Sequence, residues 1–284
     1  MLAIIDIGSN SVRLMLWTDG KSLYKKISTT RLGSGLAHGA LLSSDAIERT
    51  AQAVRAFSEE GRAHGAAVYA FATAAVRRSE NGGVFCERVK SLCGLDVDVV
   101  SGTEEAALGL AGALGTADGG MIDIGGASTE IAVQRGGKEV FSVSLDIGAV
   151  RLHDSCGESR QRYEEMIEAA LTPLKNVPTE RRFYAVGGTA STLASLKLGL
   201  PKYDAAAIQD LELTLESIRQ LTDKLFSLNT EMRKGLAGMD IARADIIPGG
   251  ALLLQKIMEK LGLDHVYASD RDNLEGYIAL RGLK

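Results

Sequence analysis

Apolar residues fall in short runs along this chain, and the runs repeat. Residues 2–5 and 12–17 flank the segment DIGSNS at 6–11; residues 121–122 and 129–133 flank DIGGAS at 123–128. A short apolar run, a Gly/Ser turn and a second apolar run predict strand, tight turn and strand. Each unit is followed by a hairpin turn, TDGK at 18–21 and RGGK at 135–138, and by a third strand, at 22–29 and 139–145. The pattern then turns helical. Ile47, Ala51, Val54 and Phe57 form one stripe of a helix over 45–62, with Ser43 or Ser44 as its cap. Residues 67–72 and 95–100 read as strands, and 84–92 and 104–114 as helices. The second half adds a helix over 162–174, a strand over 183–186, helices over 215–228 and 248–261, a strand over 265–268 and a last helix over 273–281. Residues 199–210 have no clear pattern and read as loop. A repeat of this length implies an α/β protein of two duplicated lobes. Lobe I is expected over 1–117, completed by the C-terminal helix at 273–284, and lobe II over 118–272, with the boundary in the Gly-rich stretch 115–120.

Composition narrows the class. The 284 residues suffice for two lobes with a core each, and 45% of them are hydrophobic. A net charge of −4 argues against a general polyanion-binding surface and against a nucleic-acid partner, so any polyanion needs a local basic site or metal ions. Cys86, Cys93 and Cys156 form no CxxC pair, which suits a reducing cytoplasm. Cys86 and Cys93 share a helix face and read as packing residues. No signal peptide and no membrane span are expected.

The repeated turns carry the chemistry. Glycine lets backbone N–H groups approach an anion, and Ser or Thr hydroxyls add donors. Ser9, Asn10 and Ser11 in the first turn, and Gly125, Gly126, Ala127, Ser128 and Thr129 in the second, are candidate phosphate contacts. An Asp at the mouth of such a turn repels phosphate but can hold a divalent cation or a water, which singles out Asp6 and Asp123. Gly187, Gly188 and Thr189 run from a strand into a helical stretch and suit phosphate as well. For IIPGGA at 246–251, anion contact and Pro-started capping stay equally open. SGTEE at 101–105 opens a helix; Glu104 and Glu105 point about 100° apart, so one can face a cleft as general base, and spacing does not choose which. Arg13, Arg31, Arg77 and Arg78 are candidates for bidentate phosphate recognition. The four His have no ligand spacing, and no nucleophile elbow is present.

DIGSNSVRL at 6–14, RLGSGL at 31–36, ATAAVR at 72–77, SGTEEA at 101–106 and DIGGASTE at 123–130 occur in this order, followed by IGAVRL at 147–152, VGGT at 186–189 and RADIIPGGA at 243–251. The ordered set resembles the exopolyphosphatase/guanosine pentaphosphate phosphatase (Ppx/GppA) family over nearly the whole chain. The resemblance implies two ribonuclease-H-like lobes of the actin, sugar-kinase and chaperone-ATPase superfamily with an interlobe cleft. It runs to about Lys284 and implies a short form without the further C-terminal helical domains of long exopolyphosphatases. It implies a hydrolase that releases terminal phosphate from inorganic polyphosphate, guanosine pentaphosphate or both, by metal-assisted in-line attack of water. By the same resemblance Glu105 would be the general base. Glu130, Asp6 and Asp123 would organise water and Mg²⁺ or another divalent cation, and Arg77 and Arg31 would hold phosphate groups.

Two departures stand out. Ala127 replaces a usual Gly, and Leu274 in SDRDNLEG at 269–276 stands where an Arg is usual. A sensor that binds polyphosphate or guanosine tetraphosphate without turnover, and an ATP-dependent kinase of the same superfamily, remain as alternatives. A homodimer stays open.

Overall fold

The computed structural model describes residues 1–36, 39–178, 180 and 182–284. The first half runs β1 (Leu2–Ile7), β2 (Ser11–Thr18), β3 (Lys21–Thr29), α1 (Ser44–Ala63), β4 (Ala67–Ala72), α2 (Ala74–Arg78), α3 (Gly82–Cys93), β5 (Val97–Val99) and α4 (Gly102–Leu114). The second half runs β6 (Gly119–Ile124), β7 (Thr129–Arg135), β8 (Lys138–Leu145), α5 (Ala149–Cys156), α6 (Arg160–Ala170), β9 (Phe183–Val186), α7 (Gly187–Leu198), α8 (Ala205–Ile208), β10 (Glu212–Thr214), α9 (Leu215–Ser227), α10 (Thr230–Lys234), α11 (Ile247–Leu261), β11 (His265–Ala268) and α12 (Asn273–Leu280).

The strands form two sheets. One has the order β3-β2-β1-β4-β5 and the other β10-β11-β9-β6-β7-β8. In the first, β1 is antiparallel to β2 and parallel to β4; in the second, β6 is antiparallel to β7 and parallel to β9. Read from β8, the second sheet repeats the first and adds β10 at its far edge. Both lobes are therefore ribonuclease-H-like.

Period-two alternation divides the first lobe's core. Ala3, Ile5 and Ile7 of β1 face one way, into a cluster with Val54 and Phe57 of α1 and Phe85 of α3. Leu2 and Ile4 face the other way and pack with Met15, Phe71 and Leu108. That second cluster is closed by Leu274, Tyr277 and Ile278 of α12, with Tyr277 stacked on Phe71 at 4.7 Å. The last helix thus returns to the sheet of the first lobe. Helix α4 lies between the lobes: Leu108 joins this cluster, while Ala106 and Leu110 pack on Met121, Ala132, Tyr184 and Val186 of the second lobe. Helices α4 and α12 cross closely because two glycines allow it. A Cβ on Gly112 would overlap the Asp272 carbonyl, and one on Gly276 the Leu108 carbonyl.

The anticipated elements form, with a few differences in extent and number. The strand expected over 95–100 shortens to Val97–Val99, and the helix expected over 162–174 is Arg160–Ala170. Helix α5 forms in the IGAVRL stretch, and α8 in the unpatterned stretch. The three-residue β10 is too short to leave a pattern and forms by pairing with β11. Cys86 and Cys93 pack against the first lobe's core, Cys156 is buried in the second, and all three thiols are free. No described helix is long and apolar enough to cross a membrane.

Candidate active site between the lobes

The two Asp-Gly turns close with the same backbone bond. Gly8 N–H donates to Ser11 O at 3.0 Å, and Gly125 N–H to Ser128 O at 3.0 Å. The turns also meet across the lobes, since a Cβ on Gly126 would lie 2.9 Å from Ser9 Cβ. The RLGSGL segment wraps the first turn: Arg31 N–H donates to Asn10 O at 2.8 Å and Gly33 N–H to Ser9 O at 2.8 Å. The start of α5 wraps the second, with Ala149 N–H donating to Gly125 O and Val150 and Arg151 N–H to Gly126 O. Between the lobes lies a cleft of about 390 Å³ lined by both turns, Gly187 and Gly188, Asp6, Glu105 and Asp123.

Helix α4 delivers one of its two adjacent glutamates to this cleft. Glu104 completes a capping box with Ser101, accepting from Ser101 N–H at 2.9 Å while its own N–H donates to Ser101 Oγ at 3.2 Å. Glu105 is buried and lines the cleft. Its Oε2 accepts from Arg77 Nη1 at 2.8 Å, and the same Nη1 donates to Val100 O at 2.8 Å. Burial raises the proton affinity of Glu105 above the usual carboxylate range, against the opposing charge of Arg77.

The other carboxylates share the effect unequally. Asp123 is pushed up to about 7 by burial, then by Asp272 and Glu105; among the described residues its side chain accepts one hydrogen bond, from Asn273 Nδ2 at 3.3 Å. Glu130 is buried, accepts from Ser144 Oγ at 2.7 Å, and is raised by burial, Glu105 and Asp123. Asp6 is also raised by burial, with Arg13 opposing. Burial would raise Asp272 too, but Arg13, Lys25 and the Leu274 N–H hold it below the usual range.

The remaining candidates divide between the cleft and the frame. Ser9, Asn10, Ser11, Gly125, Gly126, Ser128, Gly187 and Gly188 line the cleft. Both amide atoms of Asn10 are buried without a partner, as is Asp6 Oδ1; orphaned polar atoms in a cleft wall mark where a ligand would bond. Arg13 also reaches the cleft, but its guanidinium is shared between Asp6 and Asp272. Arg31 pairs with Asp245 across the lobes at 2.6 Å and adopts a left-handed φ of 52°. Thr129 Oγ1 donates to Ile147 O at 2.7 Å, and Thr189 Oγ1 to Ile124 O at 3.4 Å, so both hydroxyls brace backbone.

IIPGGA opens α11 with Pro248 in its first turn, and its glycines make room for Tyr163 and Thr189 rather than facing the cleft. Ala127 is buried and outside the positive-φ residues, so its backbone suits an alanine. Leu274 is fully buried in the apolar cluster under α12.

Four cleft residues had no role assigned from sequence. Asp272 and Asn273 stand at the start of α12, where Asp272 and Glu275 form a capping box; the Asp-x-x-Glu spacing was the available signal. Lys25 pairs with Glu275 at 2.8 Å. Arg243 lies so close over the VGGT turn that a Cβ on Gly188 would overlap its guanidinium.

Among the described residues no group of three or more His, Cys, Asp or Glu stands close enough to hold a metal ion. The donors still fit Mg²⁺, which takes one or two carboxylates and fills its other positions with water and phosphate oxygens. Asp6, with a free buried Oδ1, and Asp123, with one weak bond, are such carboxylates.

Two ribonuclease-H-like lobes with paired Asp-Gly turns and a buried glutamate in the cleft between them form an arrangement suited to phosphoryl transfer. The model of the Ppx/GppA phosphatase family matches residues 17–280, and the chain belongs to that family. It is a phosphohydrolase. The chain is 32% identical to Exopolyphosphatase 2 of Mycobacterium tuberculosis, covering 97% of this chain and 96% of that protein. The crystal structure of an Aquifex aeolicus Ppx/GppA family member matches with a TM-score of 0.81 and 30% identity, over 99% of this chain and 97% of the other. The structure of an exopolyphosphatase from Cytophaga hutchinsonii shares the fold at a TM-score of 0.87 and 24% identity, over 100% and 98% of the two chains.

Proposed function

We propose that the chain releases terminal phosphate from inorganic polyphosphate in the cytoplasm, with guanosine pentaphosphate as the second candidate substrate. The observation that carries this reading is Glu105, a buried carboxylate of raised proton affinity, aimed into the cleft and held by Arg77. Glu105 accepts a proton from water as the water oxygen bonds to the terminal phosphorus and the bond to the bridging oxygen breaks. The N–H groups of the two Asp-Gly turns and of Gly187 and Gly188 take up charge on the phosphate oxygens, and Asn10 adds its unpartnered amide. Glu130, whose proton affinity burial, Glu105 and Asp123 raise, is held by Ser144 and orders water beside Glu105. Asp6 and Asp123 would hold Mg²⁺, which when bound neutralises phosphate charge.

The test is phosphate release from polyphosphate and from guanosine pentaphosphate, with and without Mg²⁺, by the wild type and by Glu105→Gln. The variant keeps the shape and loses the base, so its rate is expected to fall about 10²–10⁴-fold with ligand binding retained. Binding without release by the wild type would make the site a sensor. A variant as fast as the wild type would remove Glu105 from the role.

A further inference from the structure

Arg78 and Arg151 have no part in this scheme, and both are short of partners. Arg78 ends α2 in the first lobe and Arg151 lies in the first turn of α5 in the second. Arg78 reaches across to Asp146, a largely exposed carboxylate, while its Nη1 is buried without a partner. Arg151 Nε is buried and unpartnered, and its guanidinium makes no hydrogen bond or ion pair among the described residues. Arg77 adds a third orphan: Nη1 holds Glu105, but Nη2 is buried and free. Burial and the nearby charges of Arg151 and Arg77 lower the proton affinity of Arg78, with Glu130 and Glu105 offsetting part of that effect; burial does the same to Arg151. Three guanidiniums with unfilled donors at one lobe junction are costly unless an anion joins them. Arginine forks match the oxygens of a tetrahedral oxyanion.

We propose that Arg78, Arg151 and the free Nη2 of Arg77 form an orthophosphate site behind Glu105, which receives the phosphate released in the cleft. The three arginines are not part of the cleft wall, and Arg77 joins them to it through Glu105. In-line attack makes the new P–O bond on the Glu105 side, opposite the departing chain, so the product is displaced toward these residues. Its destination spans both lobes. Arg151 also donates its backbone N–H to Gly126 O at 3.0 Å, which ties the site to the second Asp-Gly turn.

This inference rests on the hydrolytic reading, but its test does not need turnover. Inorganic phosphate is titrated calorimetrically into the wild type, Arg151→Gln and Arg78→Gln, and the thermal shift it induces is followed in parallel. Each variant is expected to bind phosphate about tenfold or more weakly, with a matching loss of product inhibition, and Arg151→Lys to recover part of the affinity. If Arg78→Gln fails to fold, Arg151→Gln decides alone, because Arg151 makes no side-chain tie. Equal phosphate affinity in the wild type and Arg151→Gln overturns the site, whatever the turnover. Phosphate binding that depends on Arg151 in a protein that releases no phosphate from any polyphosphate would leave the site standing and remove the hydrolytic reading.

Discussion

Opposite Asp6 in the β1–β2 register stands Arg13; opposite Asp123 in the β6–β7 register stands Glu130. The hairpins are copies, and their turns close with the same 3.0 Å backbone bond. The facing residue differs, and so do the more distant charges around each Asp. In the first lobe the cation sits between Asp6 and Asp272, and so ties the turn to the start of α12. In the second lobe a carboxylate faces a carboxylate: Asp123 adds to burial and Glu105 in raising Glu130, while Asp123 itself is pushed up to about 7 by burial, Asp272 and Glu105. The lesson is that duplication preserves the backbone of the turn, while the cross-strand residue and the neighbours that folding brings up set the charge around it. The first copy ties its turn to the start of α12, and the second carries carboxyls of raised proton affinity.

The largest expected effect comes from breaking the neutralised side. Arg13→Gln leaves Asp6 buried without its cation and Asp272 with Lys25 alone, and should cost about 3–5 kcal/mol in denaturant unfolding. A loss below about 1 kcal/mol would mean that the tie is not structural.

The acid-rich side should respond in the opposite direction. Glu130→Gln removes a buried carboxyl whose charged form burial, Glu105 and Asp123 disfavour, and is expected to raise stability at pH 8 while phosphate release slows. A destabilised variant would show that the Ser144 hydrogen bond outweighs the repulsion.

Ala127→Gly tests whether the second turn needs a glycine at this position. Because Ala127 has an ordinary φ, the change should only loosen the unfolded chain, costing about 0.4–1 kcal/mol without a gain in rate. A faster variant would show that the Cβ crowds the ligand.

The smallest effect is expected at the Arg31–Asp245 tie between the lobes. Burial would raise Asp245, but the Arg31 hydrogen bonds and charge hold it below the usual carboxylate range. Its contribution is therefore present above the unfolded pKa and lost as pH falls through the folded one. With Arg31 42% exposed, solvent screening limits Asp245→Asn to roughly 0.2–1 kcal/mol at pH 7, fading in acid. A difference from the wild type that persists at pH 2 would assign the effect to packing.

The sequence by itself determined the strands, the two turns and the duplicated order, because apolar alternation, Gly/Ser turns and helical stripes are local patterns. It also brought both glutamates of SGTEEA to one helix start, where a fixed angular spacing lets only one face the cleft. Which one does so depended on tertiary structure, because Glu104 was taken up by the Ser101 cap. Other local motifs were likewise given their use by distant partners. The glycines of IIPGGA went to Tyr163 and Thr189, and Arg31 went to a carboxylate 214 residues away. The raised carboxylates, the Arg13–Asp272 tie and the unpartnered Arg151 leave no local trace, because burial and the approach of two lobes are properties of the folded chain alone.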